Sequence, residues 1–572
     1  MEKMEKCYIA IVIFVAIFTT FTESVDNLPE NGDLSSFFPL TLIHNNDFHA
    51  RFEETNIKSK SCSESERKQK KCIAGIARLQ TVIQGLRKEY ADKNALYLNI
   101  GDNYQGTLWY NLLRWKVTAH FVKLLKPDAM TLGNHEFDHR PEGLKPYLKV
   151  LKEAGIRTVV ANLELNGEPN LKPLPKSITI KVKNRKIGII GVLYDKTHQI
   201  AMTGKVTFSN AVEAVREEAS RLKSKGVNII VVMSHCSFEE DKRIAAEAGD
   251  DIDVIVGAHS HSFLYSRESG KPFDKKDTIE GDYPEIVNSS SSGRSIPIVQ
   301  AKAFGKYVGR LTLYFDKQGE VKHWEGYTVF VDNSVKQDET ILNELKPWRE
   351  QVKKLGSTII GSTDIHLDRE SCRKQECTLG ILMADAFVDA FTNASFKPLA
   401  MIQAGNFRNP IPVGKITNGD VIEAAPYGST ADMVKLKGED IMSMVEHSFT
   451  LDDENRTNCL QTSGLRIVVD LNKSSDRRIL KIEARNFATP KSDTFERLDP
   501  EKFYYVVTTS YLANGKDGFV WMKNAVGRWT GPLDSDALTN YIKKIQKVTQ
   551  SNLKMNRLQI CEIDYNGKEC DS

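Results

Sequence analysis

Five apolar runs in the first half of the chain each end in a polar cluster, and this feature constrains the fold most. The runs cover residues 39–43, 95–100, 129–132, 227–233 and 252–256. Each has the length of a buried strand, and amphipathic stretches with helical spacing lie between them, as at 72–90 and 211–225. This alternation predicts a layered α/β domain in which helices pack on a sheet.

The length of 572 residues exceeds what one hydrophobic core supports, so we expect more than one domain. The alternating pattern predicts a first domain over residues 38–335. Residues 336–357 carry Ile341, Leu345 and Val352 at helical spacing, which indicates a linker helix. A second α/β region follows over 358–572, with strand-like runs at 465–470 and 503–508. The predicted fold class is therefore α/β, with two domains joined by a helix.

The polar clusters that follow the five runs are rich in metal-binding side chains. In chain order they supply Asp47, His49, Asp102, Asn134, His235, His259 and His261. The carboxyl ends of strands in open α/β sheets converge on one crevice, so these side chains should form one cage. A single His after a strand is usually structural, but five such clusters in order are not. Two carboxylates, an amide and imidazoles suit a pair of divalent ions, with Asp102 as the bridging ligand.

Two residues beside these clusters are predicted to act on a substrate rather than on metal. His135 would stabilise charge on a transferring phosphoryl group or protonate the leaving oxygen, and Asp138 would orient it and raise its pKa. Capping or surface exposure is the alternative for Asp138. Two bound metal ions lower the pKa of a water that bridges them from about 15.7 towards 7, which provides hydroxide at neutral pH. Cys236 is interpreted as a small buried residue rather than a thiolate ligand.

Both ends of the chain indicate an exported protein. Residues 1–24 have a charged start, an apolar run at 8–18 and small residues before a cleavage point, as a signal peptide has. The run is shorter than the roughly 20 residues that span a bilayer, which disfavours the alternative of a signal anchor. The last 20 residues are polar and lack the hydrophobic tail of a lipid-anchor signal. We expect a secreted, extracellular protein without a membrane anchor.

The cysteines agree with an oxidising compartment. Apart from Cys7, three sets lie close in sequence: Cys62 with Cys72, Cys372 with Cys377, and Cys561 with Cys570. Sequence leaves their connectivity open, and Cys236 and Cys459 remain as candidate buried thiols. Sequons at Asn288, Asn393, Asn455 and Asn472 are compatible with glycosylation. The basic stretch 58–71 is interpreted as a solvated loop, and a net charge of +3 gives no indication of a nucleic-acid partner.

The clusters, in this order, resemble the 5'-nucleotidase/apyrase family of metallophosphoesterases. The motifs that carry the resemblance are Asn46–Arg51, Gly101–Gly106, Gly133–Asp138, Cys372–Arg373, Pro426–Gly428 and Tyr511–Phe519. The resemblance covers nearly all of the mature chain. It implies an N-terminal calcineurin-like metallophosphoesterase sandwich, a linker helix, and a C-terminal 5'-nucleotidase-type domain that binds the nucleotide substrate.

The resemblance also assigns the metal ligands. It implies that one ion is held by Asp47, His49, Asp102 and His261, and the other by Asp102, Asn134, His235 and His259. His135 and Asp138 match the catalytic pair of the family. The ligand set suits zinc, manganese or cobalt, and leaves open whether calcium or magnesium supports activity.

The resemblance places the nucleoside on the second domain. Tyr427 and Tyr511 match the two aromatic residues that sandwich the base, and Asp517 matches the acceptor of the ribose hydroxyls. Arg373 and Arg408 match the cationic contacts to phosphate and ribose. Because metals and nucleoside would then lie on different domains, a hinge near 336–357 is expected to bring them together.

One loop departs from the family pattern. Gln403 stands where the family typically has Asn, and Asn406 stands within what is usually a glycine run before Arg408. Both are taken as substrate-binding candidates. The departure leaves open whether the substrate is a monophosphate or a polyphosphate.

The favoured function is an apyrase that hydrolyses extracellular ATP and ADP to AMP and phosphate, as soluble apyrases do in the saliva of blood-feeding arthropods, where removal of ADP blocks platelet aggregation. The alternative is a 5'-nucleotidase that converts AMP to adenosine. A third hypothesis is a non-catalytic haemostatic binding protein on the same fold. Degenerate metal ligands would mark that protein, and all seven ligands are present here.

Overall fold

The computed structural model describes residues 34–450, 457–474, 477–486 and 494–561. The strands of the first half are β1 (Phe38–Asn45), β2 (Leu96–Asn99), β3 (Ala129–Met130), β4 (Leu163–Glu164), β5 (Ser177–Val182), β6 (Arg185–Leu193), β7 (Thr207–Phe208), β8 (Ile229–His235), β9 (Val254–Gly257), β10 (Glu285–Asn288), β11 (Ser295–Val299), β12 (Tyr307–Phe315) and β13 (Val321–Phe330). The helices of this half are α1 (Glu64–Lys68), α2 (Ile76–Glu89), α3 (Leu108–Leu113), α4 (Trp115–Leu125), α5 (Arg140–Glu153), α6 (Thr197–Ile200), α7 (Ala211–Lys223) and α8 (Phe238–Ala248).

Two large sheets form the core of the first half, and β4 and β7 pair in a small third sheet. One has the strand order β13-β12-β1-β2-β3, and the other has the order β10-β11-β9-β8-β6-β5. A single cluster of buried side chains joins them, with Leu42 and Leu98 from the first sheet and Ile189, Val231 and Ile255 from the second. The predicted α/β layering is therefore a sandwich of two sheets with helices outside them.

All five predicted strands form, although they divide between the two sheets. The runs at 39–43, 95–100 and 129–132 correspond to β1, β2 and β3, which are parallel neighbours, and those at 227–233 and 252–256 correspond to β8 and β9. The alternating pattern predicts one sheet with one crevice. Instead, the ends of strands from both sheets meet at one edge of the sandwich, because the shared core holds the two sheets face to face.

Helix α9 (Glu339–Gly356) connects the two halves. It begins at Asp338, whose side chain accepts a hydrogen bond from the backbone N–H of Ile341 at 2.9 Å. Its buried residues Ile341, Leu345 and Val352 pack into the second core cluster of the first half. The helix predicted for 336–357 is present and rests on the first half through its apolar face.

The described residues of the second half form three sheets. Its strands are β14 (Ile359–Thr363), β15 (Leu399–Gln403), β16 (Gly414–Thr417), β17 (Thr430–Lys437), β18 (Leu460–Ser463), β19 (Leu465–Asp470), β20 (Ile479–Arg485), β21 (Phe495–Arg497), β22 (Phe503–Thr509), β23 (Arg528–Leu533), β24 (Lys547–Val548) and β25 (Leu558–Cys561). Its helices are α10 (Thr378–Phe391), α11 (Asn418–Ala424), α12 (Gly438–His447), α13 (Ser510–Ala513) and α14 (Asp534–Ile545). The central sheet has the order β18-β15-β22-β17-β23, flanked by β16-β14-β24 and β21-β20-β19-β25.

Two of the expected disulfides are present, Cys62–Cys72 and Cys372–Cys377. Cys561 is also disulfide-bonded, and its expected partner Cys570 lies outside the described residues. Cys236 and Cys459 are buried free thiols, as expected.

Several other expectations concern the surface and the ends of the chain. The sequon residues Asn288, Asn393 and Asn472 are exposed, whereas Asn455 lies outside the described residues. The expected signal peptide at 1–24 and the polar tail also lie outside them. No helix within the described ranges combines the length and the apolar character that crossing a membrane requires.

Candidate functional site

The predicted metal ligands meet at the edge of the sandwich where β1, β2, β3, β8 and β9 end. His235 is the last residue of β8, and the others lie on the loops just beyond their strands. At this edge, three groups of described residues have candidate ligand atoms within 4.8 Å of one another: Asp47 with His49 and His261, Asp102 with His235 and His259, and His49 with Asp102 and His135. The first two groups are the separate sets that two neighbouring ions require.

Distances between these side chains describe a tight cage. The Nε2 atom of His235 lies 3.2 Å from Asp102 Oδ2, and the Nε2 atom of His261 lies 3.4 Å from Asp47 Oδ1. His49 connects the two groups, because its Nε2 atom lies 3.8 Å from Asp102 Oδ2 and 3.1 Å from His261 Nε2. Asp102 is thus close to ligands of both groups, which is the position of a bridging carboxylate.

Five of the predicted ligands occupy the left-handed region of backbone space, which non-glycine residues rarely adopt. They are Asp47 and Asp102 with φ of 49°, His49 with 49°, His261 with 57° and His259 with 72°. Each costs about 1–3 kcal/mol, which the surrounding contacts must offset. The backbone N–H of His49, for example, donates to the carbonyl of Asp102 at 2.9 Å.

Gly101 permits the loops to approach each other this closely. Its φ is +79°, and a Cβ at this position would lie 2.4 Å from the backbone nitrogen of Gly133. A side chain here would push the Asp102 loop away from the Asn134 loop. The glycine before Asp102 is therefore required by packing as well as by conformation.

Glu136 organises the same loops, a role that the sequence analysis did not assign. Its buried carboxylate accepts hydrogen bonds from the backbone N–H groups of Gly133, Asp102 and Asn103 at 2.6, 2.9 and 2.7 Å. Burial and the nearby charge of Asp102 raise the pKa of Glu136 to about 7. The hydrogen bonds from Gly133 and Asn103 act in the opposite direction and partly offset this rise. The only sequence signal was its place inside the Gly133–Asp138 motif.

Several donor atoms in the cage are oriented as metal ligands are. His235 places Nδ1 2.6 Å from the carbonyl of Ile100, which fixes the hydrogen on Nδ1 and leaves the Nε2 lone pair facing the cage. Asn134 Oδ1 is buried without a hydrogen-bond partner among the described residues. Burial of unpaired polar atoms is unfavourable unless a ligand compensates. The residues present therefore fit divalent metal ions.

His135 and Asp138 form the predicted pair. Nδ1 of His135 lies 2.9 Å from Oδ2 of Asp138, which is almost completely buried. Burial disfavours the charged imidazole, but the carboxylates of Asp138 and Asp102 outweigh it and raise the pKa of His135 to about 10. The ring of His135 lies 5.2 Å from that of His49, so it stands beside the cage.

The predicted nucleoside residues lie in the second half, Tyr427 and Asp517 on loops and Tyr511 in the short helix α13. Tyr427 and Tyr511 are each 44% exposed, which is unusual for large aromatic residues. The hydroxyl of Tyr511 donates to Oδ1 of Asp517 at 2.8 Å. Burial, Asp517 and Tyr427 together raise the pKa of Tyr511 to about 12. The structure brings the two aromatic residues and Asp517 together.

Gln403 and Asn406, in the loop that departs from the family pattern, are both buried. Oε1 of Gln403 accepts a hydrogen bond from the hydroxyl of Thr509 at 3.1 Å, at the start of the helix that carries Tyr511. Asn406 lies near the buried carboxyl of Asp534, and burial raises the pKa of Asp534 to about 7. Both side chains are therefore packed inside the second half.

The two arginines border the same region. Nη1 of Arg373 donates to the carbonyl of Thr457 at 3.1 Å, and Arg408 is exposed next to the loop of Gln403 and Asn406. Among the described residues, neither arginine has a carboxylate within salt-bridge distance. Both cations are therefore available to an anion.

The first half touches this pocket directly. Nε2 of Gln105 donates to the backbone carbonyls of Tyr427, at 3.4 Å, and Gly428. Nη2 of Arg114 donates to Oδ1 of Asp536 at 2.6 Å, which joins the halves a second time. Lys60, in the basic loop interpreted as solvated, is exposed, but its ammonium lies 5.9 Å from the ring centre of Tyr427. Residues of the first half therefore contact the segment that carries Tyr427.

Comparison with known proteins agrees with this geometry. The family described as calcineurin-like phosphoesterase matches residues 40–263, and the family described as 5'-nucleotidase, C-terminal domain, matches residues 359–524. An apyrase of Aedes aegypti is 63% identical over 562 residues, covering 98% of each chain. A human 5'-nucleotidase is 34% identical, covering 89% of each chain.

Among solved structures, a 5'-nucleotidase precursor from Thermus thermophilus aligns with a TM-score of 0.59 and 31% identity, over 91% of this chain and 99% of that one. Divalent metal ions and hydrolysis of nucleotide phosphates follow from these similarities. The chain belongs to the 5'-nucleotidase/apyrase family of metallophosphoesterases.

Proposed function

We propose that this chain is a secreted apyrase that hydrolyses ATP and ADP to AMP and phosphate. The observation that carries hydrolysis is the position of Asp102 between two ligand groups. Sequence identity of 58–63% to mosquito apyrases supports the apyrase over the 5'-nucleotidase alternative. Residues 38–335 would act as the catalytic domain, and residues 358–572 would bind the nucleotide.

Seven side chains would hold the metal ions. Asp47, His49, Asp102 and His261 would hold one ion, and Asp102, Asn134, His235 and His259 would hold the other. When bound, two such ions lower the pKa of a water between them and neutralise phosphate oxygens. Imidazole and carboxylate ligands support zinc or manganese, while substrate phosphates could recruit calcium or magnesium during an assay.

His135 would handle the proton at the leaving oxygen. Asp138 holds Nδ1 of its ring, so that Nε2 is directed away from the carboxylate. The two nearby carboxylates favour a protonated ring, which can stabilise phosphoryl charge and then donate to the leaving group. Asp138 would act by fixing the orientation of the ring.

The second half would position the nucleotide. Tyr427 and Tyr511 would stack on the base, and Asp517 would accept hydrogen bonds from the ribose. Arg373 and Arg408 would contact the phosphates and the ribose. Gln403 and Asn406 would act indirectly, through the segments that carry Tyr511 and Arg408. Closure about the helix at 336–357 would bring this half onto the metal cage.

Phosphate release from ADP and from AMP tests the proposal directly. The purified protein is expected to release phosphate from ATP and ADP with added divalent ion and to leave AMP as the product. A kcat/KM for AMP equal to or above that for ADP would instead establish a 5'-nucleotidase. No release from any nucleotide with each candidate ion supplied would support the non-catalytic alternative.

A further inference from the structure

Asn458 contacts Asp517, one of the predicted nucleoside residues, although no sequence pattern indicates it. The two ends of its side-chain amide contact two different loops. Its Oδ1 atom accepts a hydrogen bond from the backbone N–H of Gly405 at 3.1 Å. Its Nδ2 atom donates to Oδ2 of Asp517 at 2.7 Å. Because the Gly405 contact requires an acceptor, the amide can face only one way, with its nitrogen towards Asp517.

Three polar side chains converge around Gly405. A Cβ at that position would lie 3.7 Å from Oδ1 of Asn458, 3.7 Å from Oδ2 of Asp517 and 3.8 Å from Nη2 of Arg373. Glycine leaves this space open. An anionic and a cationic group that both match substrate contacts therefore share one small space with Asn458.

The segment that carries Asn458 is itself fixed to Arg373. The carbonyl of Thr457 accepts from Nη1 of Arg373 at 3.1 Å, and the hydroxyl of Thr457 donates to the backbone carbonyl of Arg373. Residues 457 and 458 thus connect the loops of Arg373, Gly405 and Asp517. This arrangement gives Asn458 a defined position from which it can act on the Asp517 carboxylate.

Both oxygens of the Asp517 carboxylate are oriented by pocket residues. Tyr511 donates to Oδ1 and Asn458 donates to Oδ2, so these two bonds fix the plane of the carboxylate. Asp517 is exposed and has a left-handed φ of 53°. Without Asn458, the carboxylate would keep only the bond from Tyr511 and could rotate about it. Carboxylate oxygens have further lone pairs, so the same orientation leaves acceptors for a ligand.

We propose that Asn458 is a positioning residue for recognition of the ribose diol, acting through the orientation of Asp517. The proposal rests on the proposed nucleotide site, in which Asp517 accepts the ribose hydroxyls. The ligand feature that Asn458 controls is the 2',3'-diol, and neither the base nor the phosphates. Loss of the Asn458 amide should therefore weaken discrimination of ribonucleotides from sugar-deoxygenated analogues.

The test compares kcat/KM for ADP with that for 2',3'-dideoxy-ADP. The wild-type protein is expected to prefer ADP by about tenfold or more, as for a hydrogen bond to a charged group. Asp517→Ala should abolish the preference, and Asn458→Ala should reduce it severalfold through KM for ADP while dideoxy-ADP is unaffected. Asn458→Asp, which has nearly the same shape, should reduce it further because it places a second carboxylate against Asp517. The double variant Asn458→Ala/Asp517→Ala should resemble Asp517→Ala alone.

Asn552→Ala provides a matched control. Asn552 lies in the same half, and its amide also bonds at both ends, to the N–H of Thr549 at 2.8 Å and to the carbonyl of Lys547 at 2.7 Å. Asn552→Ala should leave the ratio of kcat/KM for ADP to kcat/KM for 2',3'-dideoxy-ADP unchanged. Measuring the same ratio with AMP and 2',3'-dideoxy-AMP makes the test independent of which nucleotide is preferred.

The outcomes separate the two proposals. Equal losses for both substrates in the Asn458 variants, or no change in the ratio, would overturn the positioning role. If Asn458→Ala does not fold, the isosteric Asn458→Asp decides alone. An unchanged ratio in Asp517→Ala would overturn the ribose role of Asp517, and with it the present inference. Failure of the wild type to hydrolyse any nucleotide concerns the proposed function only.

Discussion

The metal cage and the nucleoside pocket are built in different ways. In the cage, Asp47, Asp102 and His235 are almost fully buried and follow strands of a shared core. In the pocket, Tyr427 and Tyr511 are nearly half exposed and lie beyond the ends of α11 and β22. The cage is therefore fixed by the fold before any ligand arrives, whereas the pocket depends on contacts between loops. Substitutions should accordingly have large, general effects in the cage and smaller, substrate-dependent effects in the pocket.

The largest effect is expected for Asp102→Ala. Removing the shared carboxylate should lower kcat by about a thousandfold or more, because the charge stabilisation supplied by bound metal is worth several kcal/mol. Phosphate release and metal content, measured on the same sample, check this. Asp92→Ala removes an exposed carboxylate of the same half and should leave both unchanged. Near-normal turnover by Asp102→Ala would contradict the expectation that substitutions in the cage have large, general effects.

His135→Asn sharpens the comparison within the cage. We expect kcat to fall by about 10²–10⁴-fold, as for loss of a general acid, while metal content stays at the wild-type level. Asp138→Asn should produce a smaller loss, because the ring remains but is held less firmly. Elemental analysis alongside turnover distinguishes the roles. A variant that loses metal together with rate would identify His135 as a ligand.

In the pocket, Tyr427→Ala and Tyr511→Ala should each raise KM for ADP. Stacking of a base on an aromatic ring is worth about 1–3 kcal/mol, which corresponds to roughly 5- to 150-fold. Hydrolysis of a small aryl phosphate that lacks a nucleoside should be unaffected. Trp529→Ala, at a comparably exposed aromatic residue of the same half, serves as the control. Equal losses with both substrates would mean that the tyrosines support folding and do not bind the base.

The smallest effect is expected for Lys60→Ala. The ammonium of Lys60 lies over the ring of Tyr427. Burial lowers the pKa of Lys60, and the positive charge of Arg408 lowers it further. Two cations that face one another favour an anion between them, so KM for ADP should rise up to about fivefold, as for an exposed ion pair. The effect should shrink at high salt. Lys71→Ala, in the same loop, is the control, and an identical effect there would indicate only general charge.

The sequence predicted the cage better than the pocket for a physical reason. Asp47, Asp102 and His235 follow apolar runs that can only be strands, so their convergence could be inferred from topology alone. The division of those strands between two sheets could not, since β1 is completed by β12, far along the chain. Glu136 was missed because a carboxylate that binds backbone N–H groups leaves no pattern of residue types.

The pocket residues came from resemblance, because exposed tyrosines on loops have no periodic signal. Gln403 and Asn406 were expected to face the substrate, yet their contacts to Thr509 and Asp534 depend on segments more than 100 residues away. Asn458 was not considered for the same reason. Its partners Gly405 and Asp517 are brought to it only by the assembled sheets of the second half.

The position of β1 also bears on how the protein is synthesised. β1 leads into Asp47 and His49 and lies between β2 and β12. The buried hydroxyl oxygens of Thr41 on β1 and Thr312 on β12 lie 2.8 Å apart. A ribosome must therefore translate past residue 315 before this strand has both neighbours. Until then its free edge can pair with other nascent chains. The sheet that carries Asp47 and His49 is therefore complete only after more than half of the 572 residues have been synthesised.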